Sequence, residues 1–298
     1  MAFDADVIVV GSGAGGGTLA HACARRGKRV LLLERGYAPT ATHDERATLI
    51  EKKPYDDRDI DVNGSRRRLY MGGGLGGSTA LYGAALLRPS PDDFHPGKSY
   101  AARLPAELWD WPIPYADLEP HYAEAERLYD VAGAKEDDFG QLARPRAGFP
   151  LPALPLHPVN ERLIEANRRE GLRPFRLPLA IDPTRCQRCT SCAGFVCPNG
   201  ARRSSAHLIQ AGQAANRPLT VMEGMEAERF LFTSNRAEGL IARDRATGNE
   251  VVLRASRYVL AAGAIGSPAV LLKSGVEHPL VGRHYMMHLS PIVAGLFA

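Results

Sequence analysis

The chain has no apolar run near the roughly 20 residues that a membrane helix needs. Nor does it open on a basic, then apolar, leader segment. The expectation is therefore no membrane span and a cytoplasmic location. It has no internal repeat and no low-complexity tail, and its net charge of +4 is too mild to argue for a nucleic-acid partner. Cysteine is scarce, with five in 298 residues, and four of the five are bunched between positions 186 and 197. Cys23 stands apart among Ala and Leu, where a small core residue is the natural reading. What remains is an ordinary globular composition, 45% hydrophobic and 23% charged, with length enough for one large domain or two smaller ones.

Glycine, by contrast, is plentiful and placed. Val7 to Val10 reads as a buried strand, and Gly11, Gly13 and Gly16 follow at GxGxxG spacing. A helical pattern then covers Thr18 to Arg26, and Arg29 to Leu33 reads as a second buried strand ending in Glu34. This is the pattern of a dinucleotide-binding βαβ unit. Gly11 permits the tight turn, Gly13 lets a pyrophosphate approach the backbone, and Gly16 allows helix and sheet to pack closely. The helix N-terminus offers free N–H groups to phosphate. An acid at the end of the second strand accepts from ribose hydroxyls and favours NAD or FAD over NADP.

A second glycine run, Gly72 to Gly77, precedes the apolar segment Ala80 to Leu87 and reads as another cofactor contact. The stretch from Glu34 to Arg68 reads as loop with short helix, its Arg66-Arg67-Arg68 run as a solvated face. A helix is expected from about Asp117, another over Val159–Glu170 and a third over Ser204–Ala215. Trp109 and Trp111 are expected as packing anchors. From Leu219 the pattern changes to short strands at 219–222, 227–232, 239–243, 250–254 and 257–261, with Thr247-Gly248-Asn249 as a hairpin turn. Ser267 as N-cap and Pro268 at the first helical position predict a helix over 268–274.

Three segments together resemble the glucose–methanol–choline (GMC) oxidoreductases, a family of FAD-dependent alcohol oxidases and dehydrogenases. They are the N-terminal GSGAGG with Glu34, the run Gly76-Gly77-Ser78-Thr79-Ala80-Leu81-Tyr82-Gly83, and Gly263-Ala264-Ile265-Gly266-Ser267-Pro268. The resemblance implies an α/β fold: a Rossmann-like FAD-binding domain of three-layer ββα character, plus an incomplete α+β substrate domain. The FAD domain would be split over residues 1–95 and 181–288, with 96–180 a cap segment and 289–298 the start of the substrate domain. It implies that Gly11, Ser12, Gly13, Ala14, Gly15 and Gly16 hold the FAD pyrophosphate and that Glu34, with Arg35 beside it, holds the adenosine end. Gly76, Gly77, Ser78, Tyr82 and Gly83 would lie along the pyrophosphate and flavin, Ala227 near the adenine, and Ala261, Ala262 and Gly263 on the opposite side. Tyr82 stands where many members have Asn, and His284 where Asn is common. His95 lies where some relatives attach FAD covalently, but reads as a loop histidine. The family's catalytic histidine lies beyond the second signature, so no catalytic residue is assigned here, to His284, His288 or any other.

The implied activity is hydride transfer from an alcohol CH–OH group to flavin N5, giving an aldehyde or ketone. The implied partners are an alcohol, an electron acceptor (oxygen, a quinone or a redox protein) and a second chain if the gene is split. The alternative function is an FAD-carrying electron-transfer subunit of a split dehydrogenase. Cys186-x2-Cys189-x2-Cys192-x4-Cys197-Pro198 resembles a ferredoxin run with one extra residue before the last Cys. An iron–sulfur cluster, structural zinc, disulfides and free thiols all remain open readings of these four residues.

Overall fold

The computed structural model describes residues 3–39, 45–137, 139, 143, 145, 147–189, 191–283 and 285. His284, His288 and the 289–298 segment lie outside them. The N-terminal unit is β1 (Ala5–Val10), α1 (Ala14–Arg25) and β2 (Val30–Glu34). The following stretch contains a short helical turn (Arg46–Ile50), as expected, and also a short hairpin, β3 (Asp59–Val62) and β4 (Ser65–Arg68), that the expectation of loop with short helix did not include. The basic run forms its second strand, and Arg66 and Arg68 both pair with Asp59, at 3.0 and 2.7 Å. The middle of the chain supplies α2 (Gly97–Tyr100), α3 (Tyr115–Leu128), β5 (Ala132–Gly133), β6 (Leu151–Pro152) and α4 (Pro158–Arg169). Then come α5 (Ser205–Ala214), β7 (Leu219–Glu223), β8 (Met225–Thr233), β9 (Arg236–Asp244), β10 (Glu250–Leu253), β11 (Ala255–Leu260) and α6 (Gly263–Lys273).

Strands far apart in sequence meet in one parallel sheet of order β11-β1-β2-β7. Val7 to Val10 pairs with Arg257 to Leu260 on one side and with Val30 to Leu33 on the other. A central parallel strand is buried on both faces, and the alternation of side chains divides them. Ile8, Val10, Leu31 and Leu33 face the antiparallel β8–β9–β10 sheet through Met225, Phe230, Leu240 and Ala242. Val9, Val30 and Leu32 face α1 and α5 through Ala20, Ala24 and Ile209. Helices, parallel sheet and antiparallel sheet thus form the expected three layers, and the mixed α/β class holds. The Thr247–Asn249 turn joins β9 to β10, as expected.

The expected helix over 268–274 instead begins at Gly263, with Ala262 as N-cap and Pro268 inside it. The Gly/Ala-rich entry is itself helical, because no side chain there competes for the backbone. The two tryptophans are only partly packed: Trp109 and Trp111 are 40% and 55% exposed, although Trp111 lies 5.2 Å from the Phe94 ring. Among the described residues, no helix is long and apolar enough to cross a membrane.

Beside the Glu34 loop, buried Asp56 accepts from Arg58 at 2.9 and 2.7 Å. Burial alone would raise the Asp56 carboxyl, but the Arg58 hydrogen bonds outweigh it and hold it below the ordinary 3.8. A depressed folded pKa stabilises fully above the unfolded value and is lost as pH falls through the folded one. Melting temperature is therefore expected to drop below about pH 4. Asp56→Asn should flatten that drop in a melting series from pH 7 to 3.

Candidate functional site

The chain leaves β1 through Gly11 at φ +94°, where a Cβ would stand 2.5 Å from the Ala261 carbonyl oxygen. A Cβ on Gly16 would stand 1.9 Å from the Gly11 carbonyl oxygen. Both glycines are required by backbone crossing backbone. Gly13 differs: nothing lies within 4 Å of an added Cβ, and the same is true of Gly15 and Gly263. The N-terminus of α1 has no side-chain cap and no acid in its first turn, and Ala14 and Gly15 are exposed. Uncapped N–H groups, a positive dipole end and open space over Gly13 form a cradle suited to a diphosphate.

Glu34 is 8% exposed at the end of β2. Its Oε2 accepts from the Ser12 backbone N–H at 3.1 Å and from Ser12 Oγ at 2.5 Å, and its Oε1 accepts from Gly36 N–H at 2.9 Å. A carboxylate has about four acceptor sites, so one remains for a ribose hydroxyl. Glu34→Gln turns an NH2 toward the Ser12 donors. It is expected to cost about 1–3 kcal/mol of stability and to weaken dinucleotide binding; thermal melts and a cofactor titration check both.

The second glycine run folds onto this cradle. A Cβ on Gly77 would lie 2.9 Å from Gly13 Cα, and Gly76 N–H donates to Ser12 Oγ at 2.9 Å. The sequence reading treated the run as a ligand contact, yet Gly74 packs so closely on Tyr37 that a Cβ would meet its carbonyl oxygen at 1.7 Å. Much of the run is thus spent on packing against the loop after Glu34. Ser78 Oγ accepts from Gly72 N–H at 3.1 Å within the run. Two residues that sequence reasoning missed, Thr79 and Ser205, complete the junction. Ser205, fully buried, donates to the Ser12 carbonyl at 2.7 Å, and its N–H donates to Thr79 Oγ1 at 3.1 Å. No local signal marks them, since the partners are separated by more than a hundred positions. Ser205→Ala is expected to cost about 1–3 kcal/mol, read as a shift in denaturant midpoint.

On the other side, Ala261 N–H donates to the Val10 carbonyl at 2.8 Å, placing Ala261, Ala262 and Gly263 beside Gly11. Other candidate residues sit farther out. Arg35 is engaged by acids, with Asp57 at 2.8 Å and Glu226 at 3.2 Å. Ala227 lies on β8, paired with Ala242. Tyr82 donates through its hydroxyl to the Arg203 carbonyl at 2.7 Å, with burial pushing its pKa up, and Gly83 faces Ala193. His95 is half-buried, its Nδ1 2.6 Å from Asp110.

A family model described as GMC oxidoreductase matches residues 5–290. The chain belongs to the GMC oxidoreductase family. It is similar to 6'''-hydroxyparomomycin C oxidase of Streptomyces lividus, 33% identical over 97% of this chain and 55% of that protein. It is also similar to paromamine 6'-oxidase of Streptomyces fradiae, 31% identical over 98% and 55%. The chain thus spans about half the length of these curated relatives. Among solved structures, pyridoxine 4-oxidase from Mesorbium loti shares the fold with a TM-score of 0.60 at 21% identity, covering 92% of this chain and 52% of that one.

The ferredoxin-like reading of this GMC chain is not supported. Among the described residues, no three or more His, Cys, Asp or Glu side chains are grouped to hold a metal. Cys186, Cys189, Cys192 and Cys197 are half-buried, and no disulfide joins them. The physical reason is the occupant of the loop's interior. Arg202, 5% exposed, drives its guanidinium into the loop and donates to the carbonyls of Ala80, Tyr82, Cys192 and Phe195. Cys186, Cys192 and Cys197 pack against an apolar cluster that includes Ala84, Ile181 and Leu208.

Proposed function

We propose that this chain is the FAD-binding portion of a flavoenzyme that oxidises an alcohol CH–OH group to a carbonyl. The observation that carries the reading is the meeting, at Gly13, of the uncapped α1 N-terminus, the Gly76–Gly77 backbone and the Glu34 loop. The donor set fits the cofactor. The α1 N–H groups hold a diphosphate, and the open acceptor site of Glu34 takes a ribose hydroxyl while disfavouring a 2′-phosphate. Ser12, Thr79 and Ser205 hold the first signature segment against the cradle, and Ala261 to Gly263 close its other side. FAD, when bound, supplies hydride acceptance at flavin N5. The names of the relatives, two oxidases of paromomycin-type compounds, favour a hydroxyl-rich small molecule as the substrate. The base and most of the substrate pocket are assigned to the part of the relatives' length this chain does not span, on this polypeptide or on a second one. The electron acceptor is oxygen, a quinone or a redox protein.

The test is a visible spectrum and FAD titration of the purified chain, followed by anaerobic addition of alcohols. Flavin bands with micromolar or tighter FAD binding, and NAD binding at least about a hundredfold weaker, are expected. A folded chain that takes NAD, or no dinucleotide at all, sinks the cofactor reading. Flavin that no alcohol bleaches, even in the presence of the remaining half, sinks the substrate class alone.

A further inference from the structure

The cysteine loop is closed at a neck. Ile181 bridges Arg202 in antiparallel fashion, and Asp182 N–H donates to the Ala201 carbonyl at 2.9 Å. A few residues on, Arg185 Nη2 donates to the Asn199 carbonyl at 2.7 Å and Asn199 Nδ2 donates back to the Arg185 carbonyl at 2.5 Å. Cys186 follows Arg185, and Cys197 lies two residues before Asn199 and donates its S–H to Asn199 Oδ1 at 3.2 Å. Cys186 and Cys197 thus both flank the Arg185–Asn199 contact that closes the neck of the loop. Each sulfur also accepts a backbone N–H, Cys186 from Arg188 and Cys197 from Arg202, both at 3.4 Å. The thiolate, not the thiol, is the nucleophile in thiol oxidation. The buried Arg202 guanidinium acts electrostatically on the thiols of Cys189, Cys192 and Cys197.

We propose that this neck is an oxidisable dithiol site, in which Cys186 and Cys197 form a disulfide when hydrogen peroxide reaches them. In the first step the Cys197 thiolate attacks one peroxide oxygen. An S–O bond forms, the O–O bond breaks, and the departing hydroxide takes up the proton released from Cys197 as water. The Cys186 thiolate then displaces hydroxide from the Cys197 sulfenic acid. The S–S bond forms, the S–O bond breaks, and this hydroxide takes up the Cys186 proton. Two thiols lose two electrons and two protons, and one peroxide becomes two waters. Cys192 stands aside: burial pushes its thiol up and keeps it protonated. Closing the neck tightens the loop around Arg202, which holds the carbonyls of Ala80 and Tyr82 in the first signature segment. The redox state of the loop is thereby coupled to a segment bordering the cofactor cradle. The inference does not depend on which dinucleotide that cradle holds.

The test uses the full chain, treated with a small excess of hydrogen peroxide, quenched by alkylation and digested without reduction. Free thiols should fall from the five of the sequence to three, and dithiothreitol should restore them. Trypsin cuts after Arg185, Arg188 and Arg202, so the Cys186–Cys197 link joins the peptide 186–188 to the peptide 189–202. Fragmentation should place the link at Cys197. Cys23, half-buried in α1, is the internal control, and its oxidation should be at least about tenfold slower. In Cys186→Ser the Cys197 sulfenic acid should persist and be trapped by dimedone. Retention of all five thiols, a link confined to 189–202, a link from Cys186 to Cys189 or Cys192, or equal oxidation of Cys23 each overturns the proposal.

Discussion

Gly16→Ala is expected to abolish stable folding, whereas Gly13→Ala should fold normally and lose the dinucleotide. The two residues lie three positions apart in one motif, yet their surroundings are opposite. A Cβ on Gly16 would sit 1.9 Å from the Gly11 carbonyl oxygen, which is backbone and has no rotamer through which to yield. Relief requires α1 to move off the sheet, undoing the packing of Ala20 and Ala24 on Val9 and Leu32. A cost of about 4 kcal/mol or more follows, a large share of a typical domain's stability. At Gly13 the added methyl meets no protein atom within 4 Å, so the fold tolerates it. The methyl instead occupies the space a diphosphate needs. Denaturant melts and FAD titrations of the two variants separate these effects. Equal stability of both would show that the Gly16 contact is not tight. Normal FAD affinity in Gly13→Ala would show that the cofactor does not approach this backbone.

Glu126→Gln should destabilise the protein by about 3–5 kcal/mol. Arg88 and Glu126 are each 5% exposed. Their pairing is bidentate, Nε to Oε1 at 2.6 Å and Nη2 to Oε2 at 2.7 Å, and Arg88 also donates to the Tyr115 hydroxyl at 3.2 Å. Burial alone would disfavour the Arg88 charge, but Glu126 and Tyr115 outweigh it, so the guanidinium remains protonated. Removing the carboxylate charge leaves a cation out of water without its counterion. The loss should fall on α3 and on the segment after the first signature, since this pair joins them. The double variant Arg88→Met, Glu126→Leu should recover most of the stability, because the pair's Coulombic gain largely repays its own desolvation. A double variant as unstable as Glu126→Gln would refute that account. Chemical denaturation of the three proteins decides the matter.

The dinucleotide unit was legible from residues 6 to 34 because each of its requirements is local. Apolar runs make strands, glycines stand where a Cβ would collide or block, and an acid closes the second strand. The three-layer arrangement was legible through resemblance, and the alternation of Ile8, Val10, Leu31 and Leu33 against Val9, Val30 and Leu32 carries it physically. Other readings failed where local pattern met a distant partner. The cysteine spacing imitates a cluster motif, but the space among the thiols is filled by Arg202, which follows the last of them in sequence and whose orientation no spacing reveals. Ser267 and Pro268 look like a helix start, yet α6 begins at Gly263.

Local chemistry along the chain therefore accounts for the βαβ cradle, the acid that faces it and the family to which the chain belongs. These rest on periodicity, steric exclusion at glycine and charge, which act between residues close along the chain. Only the assembled fold shows that Ser12, Thr79 and Ser205 lock three distant segments, that Gly74 serves packing and that a buried guanidinium occupies the cysteine loop. Those contacts join positions brought together only when the sheet β11-β1-β2-β7 assembles, and their strength comes from hydrogen bonds shut away from water.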